Sequence, residues 1–316
     1  MAASHVPVML DRVLDLLAPA LTSEGAVLVD ATVGLGGHSH AVLDRFTGVH
    51  VIGIDRDAAA LGLARERLGE FAGRVTFVET VYDRIAEVVQ EQGHTRVSAV
   101  LFDLGVSSMQ LDQIARGFSY AHDAPLDMRM GTGDSLTAAE VLNTYSVDDL
   151  ARVLRVYGEE RFARRIAAAV VAERLVQPLE TSARLVEIIG RSIPAAARRT
   201  GGNPAKRTFQ ALRIEVNDEL NALRGAVPAA CASVCLGGRV VTMAYHSLED
   251  RIVKRVFAGL TSTDVPPDLP VVPPELRPTF TLVTRGAEKA SVTEATDNRR
   301  SRSVRVRAVQ RVRDAA

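Results

Sequence analysis

Ala26-Val-Leu-Val-Asp30-Ala-Thr-Val-Gly34-Leu-Gly36-Gly37-His38 reads as a buried strand that ends on an acid and opens through a glycine-rich turn into a helix. Three further apolar runs repeat the pattern: Val49-His-Val-Ile-Gly-Ile-Asp55, Val75-Thr-Phe-Val-Glu79 and Val97-Ser-Ala-Val-Leu-Phe-Asp103. The terminal acids stand at positions 30, 55, 79 and 103, each about two dozen residues after the last, the length of one parallel strand and its crossover helix. The stretch is therefore α/β, built of βαβ units around a parallel sheet. In such sheets ligands sit beyond the carboxyl ends of the strands, where all four carboxylates fall.

Beyond Gly105 the character changes. Ser107 to Asp134 is turn-rich and without period, and helices with legible ends follow. Thr137-Ala-Ala-Glu140 is a capping box, Ser146-Val-Asp-Asp149 a weaker one, and Tyr157-Gly158 ends that second helix. A third helix is expected from about Glu159 to Leu175, with Phe162, Ile166 and Val170 on one stripe, and a fourth from near Thr181. Asn203-Pro204 starts another, in which Phe209, Leu212, Val216, Leu220 and Leu223 keep three-four spacing up to Gly225. Arg239-Val-Val-Thr-Met-Ala-Tyr245 reads as a fifth strand, and Ser303-Val-Arg-Val-Arg-Ala308 alternates like a half-exposed one. Prolines crowded between Pro266 and Pro278 mark an irregular loop. The expected organisation is a sheet domain over 1–115 and 203–316, interrupted by a helical domain over 116–202.

The whole chain of 316 residues is 47% hydrophobic and 24% charged, which excludes disorder, collagen and coiled coil. Basic and acidic residues number 38 each, so any contact with nucleic acid has to come from local patches. Two cysteines make no disulfide framework, and Cys231 and Cys235 lack the companions of a zinc site; they read as core residues, with no metal expected. Asp11, Arg12 and Asp15 break up the N-terminal apolar pattern, and the run Val227 to Leu236 falls well short of the ~20 residues a bilayer requires. A soluble cytoplasmic protein without membrane contact is expected.

Glycines at a strand-to-helix turn let backbone approach a ligand closely. The turn lacks the Lys-Ser/Thr of a phosphate-cradling loop, and Ser39 spoils G-x-G-x-x-G. Asp55 follows about twenty residues on, where a carboxylate accepts both hydrogens of a ribose diol. The pair implies a nucleoside cofactor, either NAD or S-adenosylmethionine. A pyrophosphate cofactor wants helix N-termini and few acids. Here the cleft is rimmed by Asp30, Asp55, Glu79 and Asp103, which favours the cationic S-adenosylmethionine.

Several stretches together resemble the MraW family of ribosomal RNA small-subunit methyltransferases. They are Gly34-Leu-Gly-Gly-His38-Ser, Asp103-Leu-Gly-Val-Ser-Ser-Met-Gln110-Leu-Asp112, Gly117-Phe-Ser with Pro125-Leu-Asp127-Met-Arg129-Met, Tyr157-Gly-Glu-Glu-Arg161-Phe, Arg207-Thr-Phe-Gln210-Ala-Leu-Arg213 with Asn217 and Glu219, and Tyr245-His246-Ser-Leu-Glu249-Asp250-Arg251. The matches run from about His5 to Val306. The resemblance implies a class I S-adenosylmethionine-dependent methyltransferase, a Rossmann-like doubly wound sheet with an inserted helical recognition domain. Its implied reaction is methylation of N4 of a cytidine in the decoding region of 16S rRNA, within the small ribosomal subunit. Carried over residue by residue, Gly36, Gly37 and His38 would meet the methionine part of the cofactor, with Gly34 opening the turn. Asp55 would take the ribose, Tyr82 or its neighbour Val81 the adenine, and Asp103 and Gln110 the region of the methyl donor.

Methylating an exocyclic amine calls for a group that binds its N–H and takes the proton. Asp103 is the first candidate, followed by His246 and Asp127, although Asp127 is also placed to pair with Arg129 and His246 to be a structural histidine. Asp103-Leu-Gly-Val carries no aromatic residue, so a stacking partner for a flipped base is sought in Phe118, Tyr120 or Tyr245. Two basic groups could meet RNA: Arg191, Arg198, Arg199, Lys206, Arg207 and Arg213 around Gly201 and Gly202, and Arg299, Arg300, Arg302, Arg305, Arg307, Arg311 and Arg313 near the end. The latter could equally be solvated strand-edge arginines. Arg161, Arg164 and Arg165 read as a solvated helix face paired with Glu159 or Glu160. Two other functions stay open: an NAD-dependent oxidoreductase, disfavoured by the acidic rim and by the lack of a Tyr-x-x-x-Lys pair, and a noncatalytic ribosome assembly factor. Self-association into a homodimer is open as well.

Overall fold

A computed structural model describes residues 6–107, 109–110, 113–131, 133–198, 203–263, 273 and 277–314. His5, Ser108, Asp112, Arg199, Gly201, Gly202 and most of the proline-rich stretch lie outside the described residues. The chain forms two compact units, one of Met1–Gly105 with Asn221–Ala316, the other of Val106–Leu220.

In the first unit the chain runs through α1 (Leu10–Leu21), β1 (Val27–Asp30), α2 (Gly37–Arg45), β2 (His50–Asp55), α3 (Ala58–Arg67), β3 (Val75–Glu79), α4 (Ile85–Glu91) and β4 (Val97–Asp103). All four strands end on the acid expected of them. The second unit holds α5 (Ala138–Thr144), α6 (Val147–Gly158), α7 (Ala163–Arg174), α8 (Ser182–Ser192), α9 (Ala195–Arg198) and α10 (Ala205–Asn217). The chain then passes through α11 (Glu219–Ser233), β5 (Val234–Ala244), α12 (Ser247–Thr261), β6 (Phe280–Leu282), α13 (Val292–Asp297) and β7 (Arg305–Arg311).

The strands form one seven-stranded sheet in the order β3-β2-β1-β4-β5-β7-β6. Pairing is parallel as far as β5, and β7 runs antiparallel between β5 and β6. The chain winds outward from β1 to β3 and then returns to build the other side from β4, so the order reverses between β1 and β4. In open α/β sheets such a reversal is where ligands bind, outside the carboxyl ends of the strands. The inner strands read as unbroken apolar runs because both faces are covered. On one face Val13, Leu17 and Leu21 of α1 pack with Leu28, Leu101 and Val241. On the other, Leu223, Val227 and Ala230 of α11 pack with Val29, Val100 and Val240.

The helical unit has its own core, including Leu126, Met128, Val141, Leu150, Leu154, Ile166, Leu185, Ile189, Phe209 and Leu212. Its helices begin where their caps are written: Thr137 and Glu140 close a reciprocal capping box, and Ser146 Oγ accepts from the Asp149 N–H. The unit spans more than the expected 116–202, since α10 lays Phe209, Leu212 and Val216 into the helical core. The periodic run from Phe209 to Leu223 is also two helices and not one. Asp218 takes a left-handed conformation (φ 49°) between α10 and α11, and the apolar spacing continues across the break without registering it. Helix α11 then runs on past Gly225 and Pro228, and β5 starts five residues earlier than its alternation suggested. Short β6 and α13 carry too few periodic residues to be read. Among the described residues no helix is long and apolar enough to cross a membrane.

Candidate active site

The glycine turn after β1 is packed by the protein itself. Gly36 has φ +73°, and a Cβ there would stand 3.1 Å from Leu68 Cδ1, whereas one on Gly37 would meet Pro7 Cγ at 2.7 Å. Only glycine fits both positions. Asp55, at the end of β2, turns back to this loop: its Oδ2 accepts from the Gly34 N–H at 2.9 Å and its Oδ1 from the Asp57 N–H at 3.0 Å. Burial pushes its carboxyl up to about 6, against the opposing pull of the two N–H donors. Asp30 is not a rim acid in the sense expected. It is only 2% exposed and accepts from Ser39 Oγ at 2.6 Å and from the Thr32 N–H at 3.3 Å. Removal from water raises its carboxyl above the usual range. Glu79 is exposed.

At the end of β4, Asp103 is held from several sides. Its backbone N–H donates to Thr32 Oγ1 at 2.7 Å, and its Oδ1 accepts from the Tyr245 hydroxyl at 2.6 Å. Buried His38 presents Nδ1 at 3.6 Å from Asp103 Oδ2, while its Nε2 lies 3.0 Å from the Val8 carbonyl. A carbonyl only accepts, so Nε2 is the donor in that bond. Tyr245, sought as a stacking platform, donates its hydroxyl to Asp103. Burial first, and then the negative charge of Asp103, raise that phenol well above its ordinary value.

The remaining candidates are placed differently. Tyr82 opens a short 3₁₀ turn after β3 and meets the Phe102 ring edge-on, with centroids 5.8 Å apart; Val81, beside it, is likewise half-buried. His246 is the N-cap of α12, its side chain accepting from the Glu249 N–H. In return Glu249 Oε2 accepts from the N–H groups of Tyr245 at 2.7 Å and His246 at 3.1 Å. His246 thus has a structural task, and its spacing to Glu249 is that of a capping box with histidine replacing serine. In the helical unit, Asp127 takes a two-pronged bond from Arg129, at 2.8 and 2.7 Å, which holds its carboxyl below the usual range. Gln110, in the same unit, is buried and accepts from the Ser107 N–H at 3.0 Å. Phe118 lies in the helical core, and Tyr120 packs edge-on against Phe209. Thr32 carried no sequence signal as a site residue, and Ser39 and Glu249 stood only inside the resembling stretches, where Glu249 also completes the capping-box spacing.

Much of the expected basic surface is engaged within the protein. Arg305 and Arg307 both bind Asp250, and Arg311, 6% exposed, donates to the carbonyls of Ala232 and Val234. Arg191 binds Glu173, and Arg213 makes a paired bond with Glu219. Arg164 pairs with Asp148 rather than with Glu159 or Glu160, and the Glu160 carboxylate accepts from the Phe162 N–H. Lys206 and Arg207 are exposed. Cys231 is buried and Cys235 half-buried, both as free thiols.

The strand order with its antiparallel β7, the glycine turn after β1 and the acids closing β2 and β4 define a class I methyltransferase fold. Comparison with known proteins narrows this. The sequence pattern of the MraW methylase family matches residues 2–312, and the chain belongs to that family. Ribosomal RNA small subunit methyltransferase H of a Nocardioides species is 62% identical over 98% of this chain and 97% of its own length. The protein of the same name from Streptomyces avermitilis is 56% identical over 99% and 98%. Among solved structures, an rRNA methylase from Streptococcus thermophilus superposes with a TM-score of 0.40 at 12% identity, covering 98% of this chain and 100% of that one. Membership of a methylase family removes the oxidoreductase alternative.

Proposed function

We propose that the protein transfers a methyl group from S-adenosylmethionine to N4 of a cytidine in the decoding region of 16S rRNA, within the small ribosomal subunit. The family and the name shared by its relatives support an rRNA substrate. The observation that carries the chemistry is the carboxylate of Asp103 at the strand-order reversal, oriented by the half-buried Tyr245 hydroxyl.

The chemistry of the side chains fits this cofactor. Asp55 would accept from a ribose diol, the turn at Gly34, Gly36, Gly37 and His38 would hold the methionine part, and Tyr82 or Val81 would meet the adenine. The acids of the crevice suit a cation better than a pyrophosphate. When bound, S-adenosylmethionine supplies an electrophilic methyl group on a sulfonium. The main work of the protein is then alignment, holding donor and acceptor atoms about 3 to 3.5 Å apart. The cytosine amine is a weak nucleophile because its lone pair is conjugated with the ring. Asp103 accepts one N–H, draws the nitrogen toward tetrahedral geometry and takes the proton that methylation releases. The helical unit serves to grip the RNA.

An Asp103→Asn variant keeps the shape and removes the proton acceptor. With S-adenosylmethionine and small subunits lacking the modification, its turnover should fall by about a hundredfold or more while cofactor affinity changes little. Wild-type turnover would remove Asp103 from this role. Mass spectrometry of the 16S rRNA locates the methyl group. Wild-type protein that binds the subunits and transfers no methyl group would be a noncatalytic assembly factor.

A further inference from the structure

We infer that Tyr245 is a positioning residue for methyl transfer, acting through Asp103 and not as a platform for the substrate base. The inference rests on the proposed role of Asp103 as proton acceptor.

The tyrosine is fixed at two points. Its backbone N–H donates to Glu249 Oε2 at 2.7 Å, within the capping box that starts α12. Its hydroxyl reaches Asp103 Oδ1 at 2.6 Å, a short distance typical of an O–H donated to a carboxylate. The sheet places the two residues together: β4 and β5 are parallel neighbours with Asp103 opposite Met243, two residues before Tyr245. Tyr245 is the first residue beyond the end of β5, so its side chain leaves the sheet at the same edge as the carboxylate.

A carboxylate that has to meet an amine hydrogen from one direction gains from a fixed rotation about its own bond. The Tyr245 hydroxyl supplies that fixation at Oδ1, while the Thr32 hydroxyl, accepting from the Asp103 N–H, holds the backbone from which the side chain projects. A phenol held far on its protonated side is a permanent donor, so the bond persists across the working pH range. No proton passes through Tyr245: the N4 proton ends on Asp103 and leaves from there to solvent. The ionisable groups facing the pair are His38, whose Nδ1 is 3.6 Å from Oδ2, and Asp30, Glu249 and Glu294, whose charges act on Asp103 or Tyr245.

The test is a double-mutant cycle in the full-length protein, with Tyr245→Phe, Asp103→Asn and the combined variant assayed on unmodified small subunits. Tyr245→Phe keeps the ring and its packing. Its kcat should drop about tenfold or more, the usual worth of a hydrogen bond to a charged group, with KM for the subunit and Kd for S-adenosylmethionine within about twofold of wild type. In the Asp103→Asn background the same change should cost little further, because the residue acts through the carboxylate. Equal losses in both backgrounds, or a loss confined to KM, would overturn the inference and return Tyr245 to the substrate surface or to a purely structural part. A fully active Asp103→Asn variant would instead overturn the acceptor role beneath it. If Tyr245→Phe lowers the melting temperature markedly, the cycle is repeated at a temperature at which circular dichroism shows every variant folded. A loss of kcat that persists there at unchanged Kd supports the inference, and a wild-type kcat refutes it.

Discussion

At the scale of single residues, the site is built from acids whose environments differ sharply. Asp30 is turned inward onto Ser39 and Thr32, Asp55 is gripped by two backbone N–H groups, and Asp103 is tied to a tyrosine hydroxyl. The sequence placed all of them at strand ends, yet it could not separate a buried scaffold acid from a working one, because that depends on neighbours far along the chain. Asp55 gives a pH-dependent expectation. A ribose diol donates to the ionised carboxylate, and burial holds that carboxyl at about 6. Affinity for S-adenosylmethionine should therefore be full above about 6 and weaken as pH falls through it, approaching tenfold per unit. Isothermal titration from about pH 5 to pH 8 reads this directly, and a flat Kd would detach Asp55 from the diol. Asp127 shows the opposite outcome: its paired bond with Arg129 is the mundane alternative that the two-residue spacing already suggested.

At the scale of elements, legibility followed the strength of local signals. The four strand ends, the capping box at Thr137 and the stop at Gly158 were all written locally, and they appear where they were read. The break at Asp218 was not, because a left-handed residue can interrupt a helix without disturbing the three-four spacing on either side. Gly158 has a second meaning that its position as a helix stop concealed. A Cβ there would lie 2.6 Å from the Arg207 carbonyl and 3.2 Å from the Ala211 Cβ, so α6 and α10 cross in backbone contact. Gly158→Ala should force the two helices apart and cost about 1 to 3 kcal/mol. Urea denaturation followed by circular dichroism measures it, and unchanged stability would show that the helices can separate freely.

At the scale of the whole molecule, the chain has 38 basic and 38 acidic residues, and several of the arginines are met within the protein by acids or by backbone carbonyls. The dense C-terminal arginines are largely spent on Asp250 and on backbone carbonyls, which leaves exposed Lys206 and Arg207 on α10 as the better candidates for phosphate contact. Replacing both with alanine should weaken binding to small subunits and reduce the slope of log affinity against log salt by about 1 to 2, without altering S-adenosylmethionine affinity. An unchanged slope in filter-binding measurements would exclude them. The sequence by itself determined the parallel α/β sheet, the acid at the end of each of its first four strands, the glycine turn and the presence of a helical insertion. These depend on periodicity, caps and glycine, which act over a few residues. Only the tertiary structure decided the borders of that insertion, the partners that engage the C-terminal arginines and the bond from Tyr245 to Asp103. Each of these joins residues distant in sequence, and local spacing carries no record of which side chain will stand opposite another once the sheet has formed.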